Sequence, residues 1–154
     1  MLILFGSVTI NAQELKKAAV LIGCKPVKEQ NFDLNMTDAA EFDKWKKDEF
    51  KAQSQTSFAA KCRAKDGLRY TFWFEEEIYG DETDAKARLS KKNALPPKLK
   101  EEFEKFDGKT LSEYMFRESF RRRKKVYIVS AKAFKLALED DISRISKKLE
   151  SKIK

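Results

Sequence analysis

Histidine is absent from all 154 residues. Its absence excludes serine–histidine and cysteine–histidine nucleophile pairs and every histidine-containing zinc site. Cysteine is scarce, with only Cys24 and Cys62. They form no CxxC motif, so neither a dithiol redox centre nor a zinc knuckle is expected. Two cysteines are also too few for a disulfide-rich miniature scaffold. There are five glycines, and none stands in a GxGxxG or GxxxxGK[ST] pattern, which argues against nucleotide hydrolysis. The spacing of a calcium-binding loop is missing too. No cofactor and no metal site is expected. A run of about eighteen apolar residues, which a transmembrane helix needs, is also lacking.

What remains is the material of a globular core. Hydrophobic residues make up 42% of the chain and aromatics 12%, twelve of them Phe. An intrinsically disordered chain lacks this apolar content. A chain this long buries about two-thirds of its unfolded surface in one core. A single domain is therefore expected over residues 13–154.

Charge is abundant and unevenly placed. Lys and Arg number 33 against 25 Asp and Glu, a net +8. Residues 108–154 alone carry fourteen basic and six acidic side chains, so the last third holds the whole excess. Its focus is the run Arg121, Arg122, Arg123, Lys124 and Lys125, with no acidic residue inside it. Arg117 lies just before it, and Lys147 and Lys148, followed by Lys152 and Lys154, make the final helix basic at its end. Such a field attracts phosphates, anionic lipid heads or an acidic protein face. The plainer reading is a solvated turn, plus cations that complement a helix C-terminal dipole.

The first ten residues are apolar and uncharged, and a polar boundary follows at Asn11–Glu14. This pattern, with Ala12 just before the expected cut and Ile10 two places earlier, reads as a secretory signal peptide. It lacks the positive residues that open such a peptide, and a start codon placed too far downstream would account for that. The competing reading is a buried strand, Leu2 to Ile10. Residues 1–12 are thus either a signal-peptide remnant or an N-terminal strand, and export is the preferred reading. In an oxidising compartment Cys24 and Cys62 could close a loop worth about 3–4 kcal/mol. In the cytosol they would be two small buried hydrophobes.

Periodicity supplies the elements. Leu15, Ala18, Ala19 and Ile22 share one helix face, and Lys25–Pro26 is expected to stop that helix. Asn35 can cap a second helix over 36–51, with Ala39, Phe42, Trp45 and Phe50 on its apolar side. The clearest element is a hairpin. Phe58, Ala60, Cys62 and Ala64 face Phe74, Phe72, Tyr70 and Leu68 across the turn Lys65–Asp66–Gly67, small opposite large. Glu75–Glu77 then reads as the strand's solvated end, and Thr83 or Asp84 opens a short helix. Pro97 leads a further helix through Leu99, Phe103 and Phe106. Thr110–Glu113 resembles a capping box, but the alternation of Tyr114, Phe116 and Phe120 favours a strand, with Arg121–Lys125 as the tip of a second hairpin. Ser130 is expected to cap a last helix over 131–152, along which Phe134, Leu138, Ile142, Ile145 and Leu149 form an apolar stripe.

The expected fold is α+β, an antiparallel sheet built from two hairpins with helices packed on one face. The expected function is non-enzymatic: an exported binding domain that meets an acidic protein or anionic polymer through its basic C-terminal surface. The alternative is an intracellular nucleic-acid-binding protein of the ribonucleoprotein type, whose tip cations track phosphates beside stacking aromatics. A third reading, a hydrolase or nuclease using the acidic run near Glu75–Asp84, is the weakest.

Overall fold

A computed structural model describes residues 13–28, 44–91, 94, 96–107, 115–132 and 138–154. The chain order is α1 (Gln13–Leu21), β1 (Lys25–Val27), α2 (44–50), β2 (Ala52–Arg63), β3 (Arg69–Tyr79), α3 (Glu82–Ser90), α4 (Pro97–Asp107), β4 (Met115–Arg122), β5 (Lys125–Lys132) and α5 (Leu138–Lys152). The fold is α+β. Among the described residues the strands form a five-stranded sheet of order β1-β2-β3-β5-β4, and every neighbouring pair is antiparallel. The first twelve residues and the segment 29–43 lie outside the described residues, as do Thr110–Glu113 and Phe134.

The two hairpins organise the sheet. In β2–β3, Phe58 pairs with Phe74, Ala60 with Phe72 and Cys62 with Tyr70, the register that small-opposite-large packing dictates. The turn sets that register. Ala64 N–H donates to the Leu68 carbonyl at 2.8 Å, and Gly67 takes φ +83°, which a side chain would resist. Leu68 departs from the expected pattern: it is 61% exposed rather than core-facing, because the strand begins one residue later. The second hairpin joins β4 to β5 through Arg123 and Lys124, with Arg122 paired to Lys125.

The core lies between the sheet and helices α1 and α5. Leu15, Ala18 and Ala19 of α1 and Leu138, Ile142, Ile145 and Leu149 of α5 pack on Ala60, Cys62, Phe72, Phe74, Phe120, Tyr127, Val129 and Ala131. Cys24 and Cys62 join in a disulfide that ties the end of α1 to β2. The helix ends at Leu21, three residues before the Cys24 end that the Lys25–Pro26 reading expects. Gly23 adopts φ +89°, while Cys24 N–H reaches back to the Ala19 carbonyl at 3.0 Å and Gly23 N–H to Val20 at 2.9 Å. That is a Schellman termination, and it releases Lys25–Val27 to pair with β2 as an edge strand.

Helices α2 and α3 add a smaller packing on the opposite face. Phe50 and Ala85 meet Ala52, Tyr79, Val126 and Ile128, with Trp45 and Leu89 against them. Adjacent residues of β5 are therefore buried on both sides: Val126 and Ile128 on one, Tyr127 and Val129 on the other. Two boundaries also move. The α3 cap is Asp81, which accepts from Asp84 N–H at 2.8 Å, rather than Thr83 or Asp84. Ser130 does not cap the last helix: β5 continues to Lys132 because Ser130 pairs with both Trp73 and Arg117.

Phe72 is fully buried between sheet and helices, whereas Leu68 lies in solvent. Phe72→Ala should cost about 3–5 kcal/mol and Leu68→Ala about 0.5 kcal/mol or less, read by urea unfolding. Equal losses at the two positions would contradict this register.

Candidate functional site: buried charges on one face and basic ends on the sheet

Strand β3 does not end at Phe74. It carries Glu75, Glu76 and Glu77 inside the ladder as far as Tyr79, and Glu76 and Glu77 are only 2% and 0% exposed. This corrects the reading of the acidic run as a solvated strand end. The alternation that buries Phe72 and Phe74 toward α1 and α5 simply continues. Glu76 therefore points to that core, while Glu75, Glu77 and Tyr79 point to α2 and α3.

Glu77 is the centre of the second face. Its Oε2 accepts from Arg88 Nε at 2.9 Å and from the Tyr79 hydroxyl at 2.6 Å. Its Oε1 accepts from Arg88 Nη2 at 3.2 Å and lies 3.1 Å from Lys46 Nζ. Lys46 also bonds Glu75. The Arg88 guanidinium is fixed further by the Lys91 carbonyl at 3.0 Å and stacks on Phe50 at 5.0 Å from the ring centre. Burial pushes the Glu77 carboxyl up, but the charges of Lys46 and Arg88 and the hydrogen bonds from Arg88 and Tyr79 outweigh it and hold the group at about 2. Burial and the neighbouring Glu77 charge push the Tyr79 hydroxyl well above its ordinary range. A carboxylate with four donors around it, ionised at all ordinary pH, is built to hold its neighbours rather than to pass a proton.

The predicted cations fare differently from one another. Arg117 is not at a surface. Its side chain is 8% exposed and stands 3.9 Å from Glu75, and burial pushes its guanidinium below the usual value. The expectation of five tip cations without counter-ions is corrected at three positions. Arg121 pairs with Glu82 at 3.1 Å. Arg122 pairs with Glu150 at 2.8 Å and donates to the Glu150 carbonyl, which ties the tip to the end of α5. Lys125 lies 3.5 Å from Glu76 and 3.9 Å from Glu14 of α1. Arg123, Lys124, Lys147 and Lys148 are exposed, and among the described residues none has an ion pair. Two of the four aromatics expected beside the tip for stacking, Phe120 and Tyr127, stack on each other in the core, at 6% and 1% exposure; Tyr114 and the Phe116 side chain lie outside the described residues.

Sequence reasoning missed Lys46 and Arg88 as partners of the acidic run. The available signal was that Trp73, Glu75, Glu77 and Tyr79 keep the strand's period of two. That period implies a second buried face, and a buried carboxylate implies cations on whatever covers it. A second basic locus was missed as well, at the opposite end of the sheet, where Arg63 pairs with Arg69 beside the disulfide.

Two consequences are measurable. Because the fold lowers the Glu77 value from 4.5 to about 2, its contribution to stability is present above pH 4.5 and is lost as pH falls toward 2. Glu77→Gln should abolish that part of the acid lability. At neutral pH it should cost about 3–5 kcal/mol, because Arg88 and Lys46 stay buried with one carboxylate fewer. The exposed pair Arg121–Glu82 should lose about 1 kcal/mol at most in Glu82→Gln. Unfolding followed from pH 7 to pH 2 reads both.

No protein-family model, no curated protein and no solved structure matches this chain.

Proposed function

We propose that the protein is an exported, non-enzymatic binding domain that engages an anionic partner, an acidic protein face or an anionic polymer, through its basic C-terminal surface. The observation that carries this reading is the tip of the second hairpin. Arg123 sits at φ +50°, a conformation that glycine adopts freely and a side chain only at a cost of about 1–3 kcal/mol. A cation is nonetheless kept there, exposed, next to the equally exposed Lys124. The neighbouring Arg121 and Arg122 are anchored by Glu82 and Glu150, and Arg121 also bonds the Arg123 carbonyl at 2.6 Å. The tip thus presents two charges from a braced base.

The Cys24–Cys62 disulfide supports export, since such bonds persist in oxidising compartments. The nucleic-acid alternative draws less support, because Phe120 and Tyr127 are committed to the core and leave no stacking platform from those positions.

Binding to poly-L-glutamate and to dextran sulfate, measured at low and at physiological salt, tests the reading. Affinity should fall steeply with salt. Arg123→Gln with Lys124→Gln should weaken binding about fivefold or more at low salt. Unchanged affinity in that variant would overturn the assignment of the tip. Protein recovered from its native cell should lack residues 1–12 and be lighter by two hydrogens before reduction. A full-length chain with free thiols would overturn export.

A further inference from the structure

A cavity of about 440 Å³ opens beside the Cys24–Cys62 disulfide, at the end of the sheet opposite the Arg123–Lys124 tip. Its volume falls in the range of small-ligand sites, about 300–1,000 Å³. Its wall includes five cationic residues, Arg63, Lys65, Arg69, Arg144 and Lys148, and among the described residues no carboxylate. Two of the five are answered nearby. Arg144 bonds Asp141 at 2.8 Å, and Lys65 reaches Asp140 at 3.2 Å. Arg63, Arg69 and Lys148 have no carboxylate partner among the described residues.

Arg63 and Arg69 are direct cross-strand partners, a pairing of like charges that destabilises a sheet unless something lies between them. Among the described residues each guanidinium is anchored by backbone carbonyls alone. Arg63 Nη1 donates to Gly67 at 3.1 Å, while Arg69 Nη1 donates to Gly23 at 3.1 Å and Lys61 at 3.2 Å. A guanidinium has five N–H donors, so most of each fork remains for a ligand. The anchors sit on rigid ground: Gly23 closes the Schellman turn, Gly67 closes the hairpin, and the disulfide fixes one to the other's strand.

We infer that this cleft is an oxyanion site that takes a phosphate group, held between the Arg63 and Arg69 guanidinium groups with Lys148 completing the charge. Three uncompensated cations match a phosphate carrying about −1.5 to −2 better than a single carboxylate. The phosphate can be free or carried on a polymer, and the recognition chemistry is the same. The site is independent of the hairpin tip, so each can fail without the other.

Calorimetric titration of the oxidised, full-length protein with inorganic phosphate, and separately with long-chain polyphosphate, tests it. Binding of either probe is expected, and the probe bound identifies the source of the phosphate. Arg69→Gln and Arg63→Gln should each weaken binding about tenfold or more, as loss of a charge-assisted hydrogen bond does. Both side chains are exposed, so the variants should melt at or above the wild-type temperature. Arg123→Gln with Lys124→Gln should leave binding of inorganic phosphate unchanged. Lys148→Gln gives a third, independent variant on α5. Failure of both probes to bind, binding of inorganic phosphate that survives Arg63→Gln with Arg69→Gln, polyphosphate binding that Arg63→Gln with Arg69→Gln leaves unchanged in the Arg123→Gln, Lys124→Gln background, or acetate binding as tightly as phosphate would each overturn the inference.

Discussion

The register of the β2–β3 hairpin is the constraint on which the rest of this structure depends. Gly67 at φ +83° and the Ala64–Leu68 hydrogen bond allow one pairing of the two strands. A slip by one residue would exchange every side chain between faces. Phe72, Phe74 and Cys62 would leave the core under α1 and α5, Cys62 would no longer meet Cys24, and Glu77 would turn away from Arg88. The disulfide and the buried ion cluster are thus two consequences, on opposite faces, of one turn.

The two faces are stabilised by different physics. On the side of α1 and α5, packing is apolar and follows the burial of rings and aliphatic stripes. On the side of α2 and α3, a short apolar patch is flanked by Lys46, Glu75, Glu77, Tyr79, Arg88 and Arg117. A buried ion network of this kind adds little net stability over an apolar core of equal volume, yet loss of any member is costly. Its effect is to make the placement of α2 and α3 specific. Arg88 reaches Glu77 from α3, and Lys46 bridges both carboxylates from α2.

The fold class, both hairpins and the helix faces of α1 and α5 were legible in the sequence, because each rests on a local period or a turn residue. Phe58, Cys62, Phe72 and Phe74 announce a strand face without knowledge of anything distant. The acidic run was misread for the opposite reason. Glu75–Glu77 looks solvated until Lys46 and Arg88, 29 and 11 residues away, are placed over it, and no local rule supplies them. The cationic run was legible as a place but not as a set of free charges. Glu82, Glu150, Glu14 and Glu76 pair with three of its five members from four separate elements. The basic cleft beside the disulfide was hidden because Arg63, Arg69, Arg144 and Lys148 converge only after the hairpin closes and α5 docks.

Amide hydrogen exchange along β3, resolved by residue, tests the central claim most directly. If Glu75–Glu77 lie inside a ladder flanked by β2 and β5 and covered on both faces, their amides and that of Ile78 exchange as slowly as those of Phe72–Phe74. If the strand frays at Phe74 and the acidic run is solvated, residues 75–79 exchange orders of magnitude faster than 72–74. The buried charge cluster and the second packed face would then both be wrong.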